Sequence, residues 1–188
     1  DKTTVTDVPV GSEFEQTDDY KSYQRASGIT HSQATGSSAE ALRHTNHLEA
    51  GQKILASHPL IDQTVISCSF YLSVVGSPTG NVVCELLDAS GTLVAEIGTL
   101  ASSSITGTGV QVFTGGVGGV VEADYILALR MTVPDNDNRF NIYHNSSDVD
   151  AYSYWVDYYS GSWHNQTGKD LYYVAITADR WVERGTAI

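Results

Sequence analysis

Thr64-Val65-Ile66-Ser67-Cys68-Ser69-Phe70-Tyr71-Leu72-Ser73-Val74-Val75 is the stretch that decides the fold of this chain. Ile66, Cys68, Phe70, Leu72 and Val74 alternate with Val65, Ser67, Ser69, Tyr71 and Ser73. Successive side chains of an extended strand point to opposite faces, so this spacing predicts one dry face and one wetter face. Gly76-Ser77-Pro78-Thr79-Gly80 follows, where proline fixes one backbone angle and glycine frees another, as a turn requires. Val82, Cys84 and Leu86 then resume the rhythm, and Asp88-Ala89-Ser90-Gly91 turns the chain again.

The same rhythm continues through Leu93–Leu100, Val110–Phe113, Val120–Glu122, Tyr125–Val133, Arg139–His144, Ala151–Tyr158 and Leu171–Thr177. Gly115-Gly116-Val117-Gly118-Gly119 reads as a flexible corner between two of these strands. Many short strands with Gly, Pro and Asp turns, and no βαβ alternation, predict an all-β, antiparallel two-sheet β-sandwich of the jelly-roll kind.

Toward the N-terminus the pattern changes. Residues 1–36 are polar and read as an extended N-terminal arm, leaving 37–188 as the sandwich domain. Apolar residues of the arm such as Val5, Val8, Val10 and Phe14 suit it to adding a strand to a neighbour's sheet edge. Residues 37–56 hold the one helical reading, capped by Ser38 and favoured by Ala39, Ala41 and Leu42. If Gly76–Gly80 closes a tight hairpin, Cys68 falls opposite about Ala89 rather than Cys84, which predicts two free buried thiols.

The 188 residues carry 22 acidic and 10 basic side chains, a net charge of −12. Such a chain repels phosphate backbones and anionic lipid, which argues against nucleic acid or membrane insertion. No run reaches the roughly 18 apolar residues of a membrane helix. Asp1 rather than Met at the start is read as processing or a fragment, and Asn145-Ser146-Ser147 and Asn165-Gln166-Thr167 fit the glycosylation sequon. An extracellular, cell-surface or virion-surface location is the expectation.

Phe70-Tyr71-Leu72-Ser73-Val74-Val75-Gly76-Ser77-Pro78-Thr79-Gly80-Asn81 resembles the strand–GSPTG–strand signature of a jelly-roll domain. That domain occurs in phage and archaeal-virus structural proteins and in secreted choice-of-anchor-type surface proteins. Residues 101–105, 110–113, 122–127, 161–163 and 170–172 are similar in spacing, so the resemblance spans about residues 50–178. It departs near Ser90-Gly91, where the family has a longer turn. Residues 8–24 separately resemble a short segment of marine virus structural proteins. The resemblance implies surface display and self-assembly into a homo-oligomer or polymer, and it brings no catalytic residues.

Three constellations bear on chemistry. Asp135, Asp137, Asp148 and Asp150 lie in acidic loops flanking one strand and are candidate calcium ligands, since calcium takes six to eight oxygens. Turn formation by Asp and Asn explains the same loops without an ion. Tyr152, Tyr154, Trp155, Tyr158 and Trp163 form an aromatic set for a ligand or subunit contact, and cross-strand packing is the plainer account. His44-x-x-His47 lacks further zinc ligands, and His31, His58, His144 and His164 look scattered. With no nucleophile elbow, zinc-protease helix or phosphate loop, the sequence favours a non-enzymatic structural subunit. The alternative is a carbohydrate- or receptor-binding module.

Overall fold

The computed structural model describes residues 8–16, 21–33, 36, 38–42, 49–133, 135–147 and 150–184. Its strands are β1 (Glu13–Gln16), β2 (Lys21–Ala26), β3 (Thr30–Gln33), β4 (Ser38–Leu42), β5 (Glu49–Ile54), β6 (Thr64–Val75), β7 (Asn81–Leu87) and β8 (Leu93–Ala101). They continue as β9 (Gly109–Val120), β10 (Ile126–Met131), β11 (Arg139–Asn145), β12 (Ser153–Tyr159), β13 (Ser162–Gln166), β14 (Asp170–Leu171), β15 (Tyr173–Thr177) and β16 (Arg180–Arg184). Among the described residues there is no α-helix, and one 3-10 turn spans Ser102–Ser104.

The ladders between strands are antiparallel. Most strands belong to one continuous sheet in the order β13-β12-β5-β10-β7-β8-β9-β6-β11-β14. On the far side β15 pairs with β6, β3 with β15, and β4 with β11. The sheet curls strongly into a half-barrel. Its two halves enclose one core, because Cys84, Leu86, Leu127, Leu129 and Trp155 from one half share a buried cluster with Phe70, Leu72, Phe113, Ile142 and Tyr173 from the other.

β6 follows the expected alternation with one change of phase. Cys68, Phe70 and Leu72 are buried in the core, as the spacing requires. At the start of the strand, however, Val65 is fully buried and Ile66 is 41% exposed. Between Val65 and Ser67 the ladder to β15 steps from Thr177 to Ile176, so β6 carries one extra residue there and its faces change phase; the ladder to β9 jumps over the same interval from Gly119 to Thr114.

Three expectations need correction. Residues 37–56 hold two strands, β4 and β5, and residues 43–48 lie outside the described set. Helix propensity is worth only tenths of a kcal/mol per residue, and β5 gains a ladder on each side, from β10 and β12. Gly76–Gly80 closes no hairpin: β6 pairs with β9, β11 and β15, while β7 pairs with β8 and β10. Cys68 therefore sits beside Phe113 and Ala175, and Cys84 beside Leu129, on opposite halves. Both thiols are free and buried, and burial followed by the neighbouring Cys68 pushes the Cys84 thiol well up. The Gly115–Gly119 segment, third, separates nothing; it lies inside β9.

That segment is where the sheet bends between its halves. β8 and β9 share a single paired position, Gly98 with Gly115. A Cβ on Gly98 would fall 2.3 Å from the Thr114 nitrogen, and one on Gly116 would fall 2.1 Å from the Glu96 oxygen. Backbone approaches this close exclude any side chain. Gly98→Ala or Gly116→Ala should therefore lower stability by about 1–3 kcal/mol, the ordinary cost of overpacking. Gly107→Ala, with nothing within 4 Å of the added carbon, should stay within about 0.5 kcal/mol of wild type in urea denaturation.

Candidate functional site

Opposite the glycine bend, the curl needs a second closure, where β14 packs against β5 and β12. Gln52 on β5 is fully buried there. Its amide nitrogen donates to Ser153 Oγ at 2.8 Å and to Asp170 Oδ1 at 2.6 Å, and its oxygen accepts from the Leu171 N–H at 2.8 Å. Asp170 Oδ2 accepts from the Asp150 N–H at 2.9 Å. Beside this network the His144 ring lies 4.4 Å from the Trp155 ring. The seam thus joins the two sheet ends by buried hydrogen bonds, and low local dielectric makes each missing partner costly.

At the mouth of the seam four segments converge. β3 supplies His31, the loop after β5 supplies His58, the loop after β11 supplies Asp150, and β15 supplies Tyr173. Asp150 Oδ2 lies 3.2 Å from His31 Nε2, 3.1 Å from His58 Nε2 and 2.8 Å from Ser153 Oγ. The two histidine Nε2 atoms are 3.2 Å apart, and the Tyr173 hydroxyl is 3.2 Å from His58 Nε2. Asp150 Oδ1 accepts from the Tyr152 N–H at 3.0 Å. Burial alone would raise the Asp150 carboxyl, but the hydrogen bonds from His31, His58, Tyr152 and Ser153 outweigh it and hold the group well below the usual carboxylate range. Burial, then the Asp150 charge, pushes the Tyr173 phenol well up. His58 Nδ1 accepts from the Leu60 N–H at 3.1 Å. A neutral ring therefore carries its proton on Nε2, facing Asp150.

Of the aspartates picked from sequence, Asp135 and Asp137 do not meet Asp150. Asp135 and Asp137 precede β11, and Asp150 follows it. Seven strand residues separate these loops by about 20 Å, too far to share an ion. Asp135 instead organises its own turn, accepting from the Asp137 N–H at 2.9 Å and the Asn138 amide at 2.7 Å. Asp148, like Val5, His44 and His47, lies outside the described residues. Of the arm residues, Val8 is half-buried, Val10 is 51% exposed, and Phe14 is placed on β1 by its backbone pairing with Tyr23. The arm's strands pair within the chain, β2 with β16 and β3 with β15.

The aromatic set divides between two faces. Trp155 is only 2% exposed and belongs to the core, so it presents no ring to a ligand. Tyr154 and Trp163 pack outside the sheet over Leu87, Ile126, Ala128 and Val156. Tyr158 meets Trp163 edge-on at 5.5 Å, and Tyr152 is exposed ahead of β12. On the same outer face Arg130 pairs with Glu85 and lies 3.8 Å from Glu49. The other half is different. No charged residue occurs between Asp62 and Glu85 or between Glu96 and Glu122, the stretches that form β6 and β9. Its outer face carries Val110, Val112, Ser69, Tyr71, Val174 and Ile176, with Tyr143 and Tyr172 packed at 4.9 and 5.3 Å from Tyr71. Sequence reading missed this face because it looked for aromatic density rather than for missing charge. A cleft of about 370 Å³ between residues 74–79 and 102–106 is lined by no titratable side chain.

Two outcomes follow from this geometry. Gln52→Ala should cost about 2–4 kcal/mol in urea denaturation, because it removes a buried amide that makes three hydrogen bonds. Glu49 is raised by burial and by Glu85, against the opposing pull of Arg130. Its ionisation is thus harder in the folded chain, so stability falls as pH rises through the ordinary glutamate value of about 4.3. Glu49→Gln should stabilise the protein at pH 7 in urea denaturation and lose that gain as pH falls below the ordinary glutamate value of about 4.3, where the carboxyl is neutral in the folded and unfolded chain.

No protein-family model matches this sequence, and comparison with curated proteins finds no match.

Proposed function

We propose that this chain is a non-catalytic building block of an extracellular or virion-surface assembly, a jelly-roll-type domain that associates with further copies of itself. The observation that supports this reading is the uncharged outer face built on β9, β6 and β15. On a chain of net charge −12, copies repel one another wherever carboxylates face each other, and this face has none on those strands. It holds apolar side chains that are open to solvent, Val110 at 47%, Val112 at 52% and Ile176 at 40% exposure. Contiguous exposed apolar surface of this kind marks protein contacts.

β9 and β6, of 12 residues each, run about 40 Å, and β15, of 5 residues, about 17 Å. At about 4.8 Å between strands the footprint is roughly 470 Å², less than the roughly 800 Å² per partner of a standard interface, which suits a weak, concentration-dependent contact. The non-catalytic part of the reading is supported by the seam, where both nitrogens of His58 and both oxygens of Asp150 are already engaged by the protein. A second reading, carbohydrate binding, is favoured by the Tyr71, Tyr143 and Tyr172 cluster with Asn141 bonded to Ser73 beside it. Aromatic faces with nearby amides and hydroxyls suit sugar rings as well as protein.

Val112→Asp should convert a concentration-dependent oligomer to monomer in light scattering while leaving the melting temperature nearly unchanged. Leu93→Asp, equally exposed but on β8, should assemble as wild type does. Wild-type protein that stays monomeric at high concentration, yet is retained by a glycan array through Tyr71, would replace the first reading with the second.

A further inference from the structure

We propose that His31, His58 and Asp150 form a binding site for one divalent transition-metal ion of borderline softness, with zinc as the representative. Their donor atoms stand 3.1–3.2 Å from one another. A tetrahedral ion with bonds of about 2.0–2.1 Å spaces its ligands about 3.3 Å apart, so an ion fits above this triangle with little movement. Among the described residues this is the one group of three His, Cys, Asp or Glu side chains whose ligand atoms gather within 4.8 Å.

Asp150 Oδ2 already accepts from Ser153 and faces both histidine Nε2 atoms. With both rings protonated on Nε2, two N–H groups point at one oxygen with their nitrogens 3.2 Å apart; with His31 protonated on Nδ1, the His58 Nε2–H lies between that oxygen and His31 Nε2. A cation at the centre is ligated by the same three atoms once both Nε2 lone pairs face it. Two imidazoles and one carboxylate suit a late first-row metal, whereas calcium wants six to eight oxygens. The supporting groups are in place: the Tyr152 N–H holds Asp150 Oδ1, and the Ser153 and Tyr173 hydroxyls stand beside the donor atoms.

One contact opposes loading. Ligation through His58 Nε2 moves the ring proton to Nδ1, where the Leu60 N–H now donates at 3.1 Å. Ion binding is therefore coupled to a local shift of the turn at residues 58–60, and its affinity is set below that of an all-cysteine centre. The consequence is mechanical. His31 is on β3, an edge strand paired with β15 alone among the described residues, so the ion fastens the N-terminal segment to two loops of the seam.

The test uses the full chain, stripped with a chelator and titrated with zinc by calorimetry and with cobalt(II) by absorption. One ion per chain, the intense visible bands of low-coordinate cobalt, and a melting temperature that climbs with zinc are expected. Calcium at the same concentration should give none of these. His31→Ala, at a half-buried position, should weaken zinc binding by about tenfold or more, as should the isosteric Asp150→Asn, while His164→Ala should bind as wild type does. Folding of each variant is checked by circular dichroism. A folded wild type that gives no heat and no cobalt bands, calcium binding as tight as zinc, or zinc affinity unchanged in folded His31→Ala would each overturn the site.

Discussion

A sheet that curls on itself has two places where it can fail, the bend and the opening, and the opening is the harder to close. Apolar contacts are non-directional and do not choose which ends of a sheet meet. Here the choice is made by hydrogen bonds that find their partners in one arrangement only. Gln52, Ser153, Asp170 and the Leu171 N–H come from β5, β12 and β14, and the amide of Gln52 addresses all three at once. Each partner buried without the others would carry a desolvation cost of about 1–3 kcal/mol, which any other closure must bear. The network therefore contributes uniqueness more than net stability.

The bend is solved by the opposite means, absence of side chains. Where β8 crosses to β9, Gly98 and Gly116 let backbones approach within distances a Cβ forbids, and Gly119 leaves room for Leu86 and Ala95. One side of the curl is thus closed by packing without Cβ atoms and the other by buried polar groups. Charge follows the same division. Glu49, Glu85 and Arg130 crowd the outer face of one half, while the outer face of β6, β9 and β15 is left neutral. Segregation of this kind has no bearing on the core, since both outer faces are outside it. It acts on what approaches the molecule.

The all-β architecture was legible because β6 states its period over twelve residues and its fully buried side chains, Cys68, Phe70 and Leu72, keep it. The slip at Val65 and Ile66 was not legible, because a bulge depends on the partner strand and leaves no mark in the strand that carries it. Residues 38–42 and 49–54 read as helix for a related cause: their propensity is local, whereas the ladders that recruit them come from β10, β11 and β12, far along the chain. The seam cluster was invisible for the same reason. His31, His58 and Asp150 stand in segments that share no spacing, and only the pairing of β3 with β15 beside the closing loops brings them together. The aspartates that did share a spacing, Asp135 and Asp137 with Asp150, are set apart by the length of β11.

The two regions singled out are joined through one short strand. β3 alternates, so His31 and Gln33 turn toward the interior while Thr30 and Ser32 extend the neutral outer face beside Val174 and Ile176. Whatever holds His31 at the seam also holds the margin of that face. Were β3 to leave, the outer edge of β15 would be bared, and an open strand edge next to an apolar face is a template for another chain. On the proposed reading, the chain with β3 seated would offer a face to a further copy, and with β3 released it would offer an open strand edge as well. If the neutral face is the contact proposed above, the polar cluster at the mouth of the seam bears on it through β3, where His31 stands between the outward Thr30 and Ser32 and adds its contacts to the ladder with β15.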